Sequence, residues 1–185
     1  IYNEITDIIS HGDEYFDIKA IYKYFPAKRN GETIEILSDD LSNVIETFSF
    51  PRQKWGKYLS LNDYIPADKI DYVGMFVVSA GEKSRLVSND LIAKGEFYRG
   101  HLVNSLGLEL AEAAAEYIHH IMREDVGIID ENLKQEDILK AKYQGKRYSF
   151  GYPACPDLSD QEKLFNLLKP ETYGIKLTEG YMMYH

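Results

Sequence analysis

The sequence predicts an α+β domain with a mainly antiparallel, twisted sheet, flanking helices and one long helix. Apolar and polar residues alternate on either side of Asn30-Gly31, which is typical of a β-hairpin. The segment from about Asn89 to Arg123 carries an apolar stripe with helical spacing. Strand and helix patterns do not alternate along the chain as they do in a doubly wound parallel fold.

Three segments have the pattern of strands. The hairpin occupies "AIYKYFPAKRNGETIEIL", and "IDYVGMFVVSAG" is typical of a largely buried strand that ends at Gly81. A further strand is predicted near the end of the chain, in "IKLTEGYMMY".

The long helix is predicted from steps of three and four residues. Its apolar stripe consists of Val103, Leu106, Leu110, Ala114, Tyr117 and Ile121. A different, polar face carries Glu109, Glu112, Glu116, His119 and Arg123. The three glycines in this stretch, Gly95, Gly100 and Gly107, indicate a bend or a close approach of another element.

Two shorter helices follow. In "SDQEKLFNLLKPE", Ser159 and Glu162 have the spacing of a capping box, and Pro170 is expected to end the helix. The segment "QEDILKAKYQG" is predicted to be helical and closed by Gly145.

Composition is that of an ordinary globular protein, with 44% hydrophobic and 28% charged residues among 185. The net charge of −9 argues against a nucleic-acid partner, because binding phosphates requires a basic surface. No apolar run approaches the roughly 20 residues of a membrane span, and no signal peptide pattern is present, so no membrane association and a cytoplasmic location are expected. The chain begins with Ile1, which suggests a fragment.

Common catalytic and metal motifs are absent from the sequence. It contains no Walker loop, no GxGxxG after a strand and no HExxH. His119 and His120 are adjacent on the predicted helix and therefore point about 100° apart, so they are expected to be solvated or interface residues and not a metal clamp. The single cysteine, Cys155, excludes an intrachain disulfide and is expected to be a packed, inert thiol.

The segment Arg147 to Asp157, "RYSFGYPACPD", is unusual for its aromatic and proline content. Two prolines are expected to hold its backbone extended, while Gly151 is able to take angles that are closed to other residues. Arg147 has the chemistry to hold a carboxylate, and Tyr148, Phe150 or Tyr152 has the chemistry to lie against a cation or an adenine ring. The residues alone leave two interpretations open: a ligand-binding surface or a structural turn packed on the core.

This segment resembles the RxxxGYPACP signature of the activation domain of cobalamin-dependent methionine synthase. Four other stretches are similar to the same family in order and spacing: "FPAKRNGETIEI", "LSLNDYIPADKIDYVGMFVVSAG", "LGLELAEAAAEYIHH" and "YGIKLTEGYMM". The resemblance runs from about Ala20 to the end of the chain.

The resemblance implies a domain that binds S-adenosylmethionine. Arg147 matches the arginine that contacts this ligand, and Ser149, Gly151 and Tyr152 match positions that contribute backbone groups. Glu112 matches a helix glutamate near the ligand or the corrinoid interface. Glu116 is expected to be a solvated surface residue. No catalytic acid or base is implied, because loss of the methyl group converts the sulfonium of the ligand to a neutral thioether.

The implied function is reductive methylation of cob(II)alamin to methylcobalamin when a methyltransferase is reactivated. The cobalamin belongs to another domain of the same enzyme, and the electron comes from flavodoxin or a similar donor. Residues 1–185 lack an upstream DWTPFF-like motif and a later SG-x-Y-F-type strand of the family, so the domain is expected to be incomplete and inactive alone. Two alternatives remain: a binding or interaction protein of the same fold, or a domain that reactivates another corrinoid protein.

Overall fold

The computed structural model describes residues 2–129 and 133–185. The described residues form six strands: β1 Lys19–Asn30, β2 Thr33–Leu37, β3 Val44–Ser49, β4 Asp71–Ser79, β5 Lys176–Leu177 and β6 Met183–Tyr184. The described helices are α1 Tyr2–Ser10, α2 Gly12–Tyr15, α3 Glu82–Ala93, α4 Phe97–Asp125, α5 Gln135–Leu139 and α6 Asp160–Leu168. Short 3₁₀ turns span Leu61–Tyr64 and Pro170–Tyr173.

The main sheet has four antiparallel strands in the spatial order β3-β2-β1-β4. The predicted hairpin is confirmed: Asn30 pairs with Thr33, so Gly31 and Glu32 form the turn, and Gly31 has a φ of 61°. A positive φ costs glycine little, which explains why the turn falls at this residue. The prediction of an α+β domain with a mainly antiparallel sheet is confirmed.

Helices cover both faces of this sheet. Phe25 on β1 lies opposite Val73 on β4, and this face forms the main core with α6. The next pair along the strands is Tyr24 and Gly74, and it meets the C-terminal end of α4 on the other face. The buried residues of the main core are Phe25, Ala27, Ile34, Ile36, Phe48, Ile65, Val77, Leu164, Phe165, Leu168 and Ile175.

Strand β4 is less buried than predicted. Val77 is its one fully buried residue, and the strand ends at Ser79. Gly81 instead begins α3, with a φ of 85°. The terminal segment is also more complex than one strand, because β5 and β6 pair with each other as a small antiparallel hairpin.

The predicted long helix is confirmed as α4, but it begins at Phe97, and the predicted residues from Asn89 to Ala93 belong to the separate helix α3, which precedes α4. The two helices are separated at Lys94 to Glu96, where Gly95 has a φ of 86°. The other two glycines mark a close approach, as expected: the Ser88 hydroxyl donates to the Gly100 carbonyl at 2.9 Å, and a Cβ on Gly107 would lie 3.2 Å from Ser84 Oγ. Small residues on α4 thus allow α3 to pack tightly against it.

The predicted faces of α4 are partly wrong. Tyr117 was assigned to the apolar stripe, but its side chain is exposed. His119 and Arg123 were assigned to a polar face, and the structure buries both. The buried positions of α4 are Gly100, Val103, Gly107, Ala115, His119, Met122 and Arg123.

The two later helices also differ from prediction. The Ser159 hydroxyl donates to the Asp157 carboxylate at 2.6 Å, so the capping box with Glu162 does not form. Asp157 accepts the Ser159 backbone N–H instead, at 2.9 Å. Helix α6 ends before Pro170, as predicted, whereas α5 ends at Leu139 and does not reach Gly145. Within the part of the chain that the structure describes, no helix is both long enough and apolar enough to cross a membrane.

Candidate functional site

The segment from Arg147 to Asp157, called here the Arg147–Asp157 loop, lies between α5 and α6 and is anchored from inside. The Phe150 ring stacks on Phe48 of β3, with ring centroids 6.0 Å apart and planes inclined by 22°. Cys155 is buried and Phe150 is partly buried. Tyr148 and Tyr152 are exposed, so the loop packs Phe150 against the core and presents its other aromatic groups to solvent.

A tight turn forms the tip of this loop. The Gly151 N–H donates to the Cys155 carbonyl and the Cys155 N–H donates to the Tyr152 carbonyl, each at 2.9 Å. Gly151 has a φ of 89°, and a Cβ there would lie 3.2 Å from Leu158 Cδ1. The backbone angle therefore favours glycine, and a Cβ at this position would also require the Leu158 side chain to shift by a few tenths of an ångström.

The thiol of Cys155 is part of the same turn. Its Sγ donates to the Ser149 carbonyl at 2.9 Å. Burial raises the pKa of the Cys155 thiol, which disfavours the reactive thiolate. The predicted packing of this thiol is confirmed, and its low reactivity stays a prediction.

Arg147 lies beside two carboxylates of α4. Its Nη2 is 3.5 Å from Glu116 Oε2 and 3.6 Å from Glu112 Oε2. The two acids are four residues apart and therefore occupy the same side of the helix. Their exposure differs sharply: the Glu112 side chain is 77% exposed and that of Glu116 is 25% exposed.

The expectation that Glu116 is solvated is wrong. The hydroxyl of Tyr143, a buried residue, donates to Glu116 Oε2 at 3.0 Å. The guanidinium of Arg123 lies 4.1 Å from the centre of the Tyr143 ring, and the His119 ring centroid is 5.4 Å away. These contacts connect α4 to the chain immediately before the Arg147–Asp157 loop.

His119 is held in its neutral form by this packing. Burial, together with the positive charge of Arg123, lowers its pKa to about 4, while Glu116 acts in the opposite direction. His120 is exposed and lies 3.5 Å from Glu124. Among residues 2–129 and 133–185, no group of three or more side chains has the arrangement of a metal site.

Tyr148 meets a second exposed tyrosine. Its hydroxyl lies 3.3 Å from that of Tyr64, which belongs to the 3₁₀ turn after β3. This hydrogen bond, with burial as the second cause, raises the pKa of Tyr148 to about 12. The pair extends the aromatic surface of the loop toward another part of the fold.

The structure therefore brings Arg147 and Glu112 together and places Ser149, Gly151 and Tyr152 in one loop. Sequence reasoning missed Glu116, Tyr143 and Tyr64 as neighbours of that loop. Two surface depressions lie elsewhere: one of about 490 Å³ at Gly95 to Arg99 and one of about 340 Å³ between α6 and the terminal hairpin. Arg147 lines neither of them.

Comparison with known families identifies the chain. A sequence profile of the family "Vitamin B12 dependent methionine synthase, activation domain" matches residues 2–185. The chain belongs to this family. The activation domain thus includes the first helices as well as the region from Ala20 onward in which the resemblance is visible by eye.

Known relatives of this activation domain agree with the assignment. The methionine synthase of Mycobacterium tuberculosis is 34% identical over 86% of the chain, and that of Mycobacterium leprae is 32% identical over the same share. The chain spans about 15% of the length of these relatives. The crystal structure of a MetH reactivation domain bound to AdoHcy superimposes with a TM-score of 0.89 at 30% identity, covering 99% of this chain and 60% of that one.

Proposed function

We propose that this activation domain binds S-adenosylmethionine and supports reductive methylation of cob(II)alamin to methylcobalamin when a methionine synthase is reactivated. The observation that carries the proposal is the close structural match to a reactivation domain that is described as bound to AdoHcy. AdoHcy is what remains of S-adenosylmethionine after its methyl group has been transferred. The loop chemistry described above supports the same ligand class.

Arg147 is the proposed partner of the ligand's carboxylate. A guanidinium has five N–H donors arranged as a fork that matches a carboxylate. The two ion pairs of Arg147 measure 3.5 and 3.6 Å, which is longer than the roughly 2.7–2.9 Å of a strong charge-assisted hydrogen bond. Arg147 therefore retains donor capacity for a ligand in its present position.

The Arg147–Asp157 loop supplies the remaining proposed contacts. Backbone groups of Ser149, Gly151 and Tyr152 lie along a turn that is fixed by its own hydrogen bonds, so they are ordered before a ligand arrives. The exposed Tyr152 ring offers a face for stacking. Glu112, at the exposed side of Arg147, is placed to face a ligand ammonium group or the corrinoid surface.

The chemistry demands positioning more than proton transfer. Loss of the methyl group converts the sulfonium of S-adenosylmethionine to a neutral thioether, so no side chain has to donate or accept a proton. Cobalamin, carried by another domain, supplies the methyl acceptor. The residues of this chain hold and orient the methyl donor, which accelerates a reaction between two bound partners.

The partners follow from the proposed reaction. The cobalamin-binding domain of the same enzyme presents the acceptor, and flavodoxin or a similar donor provides the electron. We place the reaction in the cytoplasm. Methyltransferase activity belongs to the assembled enzyme in this proposal, and this chain contributes the nucleoside site.

A thermal-shift titration with S-adenosylmethionine on the full-length protein tests the proposal. Ligand that binds only the folded state raises the melting temperature as its concentration rises. We expect a dose-dependent increase with S-adenosylmethionine and with S-adenosylhomocysteine, and none with methionine at the same concentrations. A melting temperature that neither nucleoside changes would favour the alternative of an interaction domain.

A further inference from the structure

We propose that Glu116 and Tyr143 are positioning residues that hold the guanidinium of Arg147 ready for the ligand's carboxylate. The inference rests on the proposed function and extends it, because it assigns roles to two residues outside the RxxxGYPACP signature. Neither residue needs to touch the ligand. Each acts through Arg147.

A shared oxygen atom links the three side chains. Glu116 Oε2 accepts the hydroxyl hydrogen of Tyr143 at 3.0 Å, and the same atom lies 3.5 Å from Arg147 Nη2. The hydrogen bond from Tyr143 restricts rotation of the Glu116 carboxylate, so its negative charge keeps a fixed position next to Arg147. The guanidinium is thereby directed along one side of α4.

Tyr143 is itself fixed independently of any ligand. Its side chain is buried, with the Arg123 guanidinium over its ring and the His119 ring beside it. Four residues after Tyr143, Arg147 lies beside the same acid, Glu116. The intervening Gly145 has a φ of 79°, and a Cβ there would lie 3.2 Å from Arg123 Cδ. One partly buried acid, Glu116, therefore ties the chain to α4 at two points, Tyr143 and Arg147.

Glu112 and Glu116 have different roles in this arrangement. Both lie at nearly the same distance from Arg147, but Glu112 is three times as exposed and Arg147 is the partner that the described part of the structure gives it. Glu112 is free to turn toward a ligand or leave the arginine. Glu116 cannot do so without breaking its hydrogen bond to Tyr143.

The consequence for specificity concerns the amino-acid part of the nucleoside. A site that is built to pair with a carboxylate discriminates strongly against an analogue that lacks it. S-Adenosylhomocysteine carries this carboxylate, whereas 5′-methylthioadenosine has the same adenosine and thioether without it. Positioning of Arg147 should therefore affect binding of the first compound and leave binding of the second unchanged.

The test is a double-mutant cycle on the full-length protein, with calorimetry of both compounds. Tyr143→Phe keeps the ring and removes only the hydroxyl donor. We expect it to weaken binding of S-adenosylhomocysteine about fivefold and to leave that of 5′-methylthioadenosine within twofold. In an Arg147→Ala background, Tyr143→Phe should have no further effect, because the residue through which it acts is gone. Glu109→Gln, an exposed acid on the same helix, is the control and should change neither affinity.

Three outcomes would overturn the inference while the proposed function stands. Tyr143→Phe could weaken binding of both compounds equally, weaken binding of S-adenosylhomocysteine equally with and without Arg147, or leave its affinity unchanged. Retained binding of 5′-methylthioadenosine also shows that the variant is folded at the site. If the unmodified protein binds neither compound, the proposed function fails and the inference fails with it.

Discussion

The hydroxyl of Tyr24 on β1 donates a 2.9 Å hydrogen bond to the backbone carbonyl of Met122 near the end of α4. This contact joins the centre of the sheet to the helix that carries Glu112 and Glu116. Burial, with the neighbouring Asp125 carboxylate as a second cause, raises the pKa of Tyr24 to about 12, so the hydroxyl stays protonated even in alkaline solution. The position of the candidate site relative to the sheet depends on this junction.

Tyr24→Phe should lower the free energy of unfolding by about 1 kcal/mol, because a partly buried hydrogen bond is lost and the carbonyl of Met122 loses its side-chain donor. Urea denaturation measures the change. Tyr22→Phe is a matched control, since the Tyr22 hydroxyl contacts the exposed Asp125 carboxylate at 3.2 Å, as the Tyr24 hydroxyl also does, and Tyr22 has no bond to Met122. If the two variants lose the same free energy, the proposed importance of the junction is wrong.

Arg147→Ala should weaken S-adenosylmethionine binding at least tenfold, which corresponds to about 1.4 kcal/mol, because the carboxylate loses its charged partner. Calorimetry on the full-length protein gives the affinity. Arg85→Ala removes an exposed arginine that pairs with a neighbouring glutamate on α3, and it should leave the affinity unchanged. An unaltered affinity for Arg147→Ala would remove this residue from the site.

Gly81→Ala should destabilise the domain more than Gly95→Ala does. Both glycines have a φ near 85°, which alanine rarely adopts, and the ψ of 171° at Gly81 lies in a region that is occupied almost only by glycine. A Cβ at Gly81 would also lie 2.3 Å from the backbone oxygen of Asp17, whereas nothing lies within 4 Å of one at Gly95. We expect an additional loss of at least about 2 kcal/mol at Gly81, measured by urea denaturation. Equal losses would show that the contact with Asp17 relaxes freely.

The neutral state of His119 predicts a pH dependence of stability. Its pKa is lowered to about 4 in the folded protein, from an ordinary value of 6.5. The unfolded chain therefore binds a proton that the folded chain excludes, and stability is lost as the pH falls from 6.5 to 4, by up to about 3 kcal/mol. The charged groups that face His119 are Arg123, Glu116, Arg147 and Lys146.

His119→Gln removes this titration and provides the comparison. Unfolding free energies of the parent and the variant, measured between pH 7 and pH 4, should differ in slope: the parent should lose more stability in this interval. Carboxylates that titrate in the same range contribute to both proteins and cancel in the difference. Parallel curves would contradict the assignment of a neutral, buried His119.

Local signals account for the parts of the fold that could be predicted. Gly31 has the positive φ that the hairpin needs, and Gly95 has the one that separates α3 from α4. The turn at Gly151 was likewise visible in the sequence, because glycine and proline restrict the backbone without help from distant residues.

Distant packing explains what the sequence could not show. His119 and Arg123 look like solvent-facing residues by spacing, and they are buried because Tyr143, outside any helix, lies against both. The same tyrosine gives Glu116 and Glu112 different environments, because its hydroxyl donates to Glu116. The two glutamates lie on one side of α4 and could not be distinguished by residue type. The Ser159 hydroxyl donates to the nearby Asp157 carboxylate and therefore does not cap α6 as the capping box requires.

A crystal structure of the full-length protein with S-adenosylhomocysteine would test the central claim most directly. The account predicts that the ligand's carboxylate lies within hydrogen-bonding distance of the Arg147 guanidinium and that the adenosine lies along the Arg147–Asp157 loop. The hydrogen bond from the Tyr143 hydroxyl to Glu116 should remain in place. A ligand bound away from this loop, with Arg147 still between Glu112 and Glu116, would contradict it.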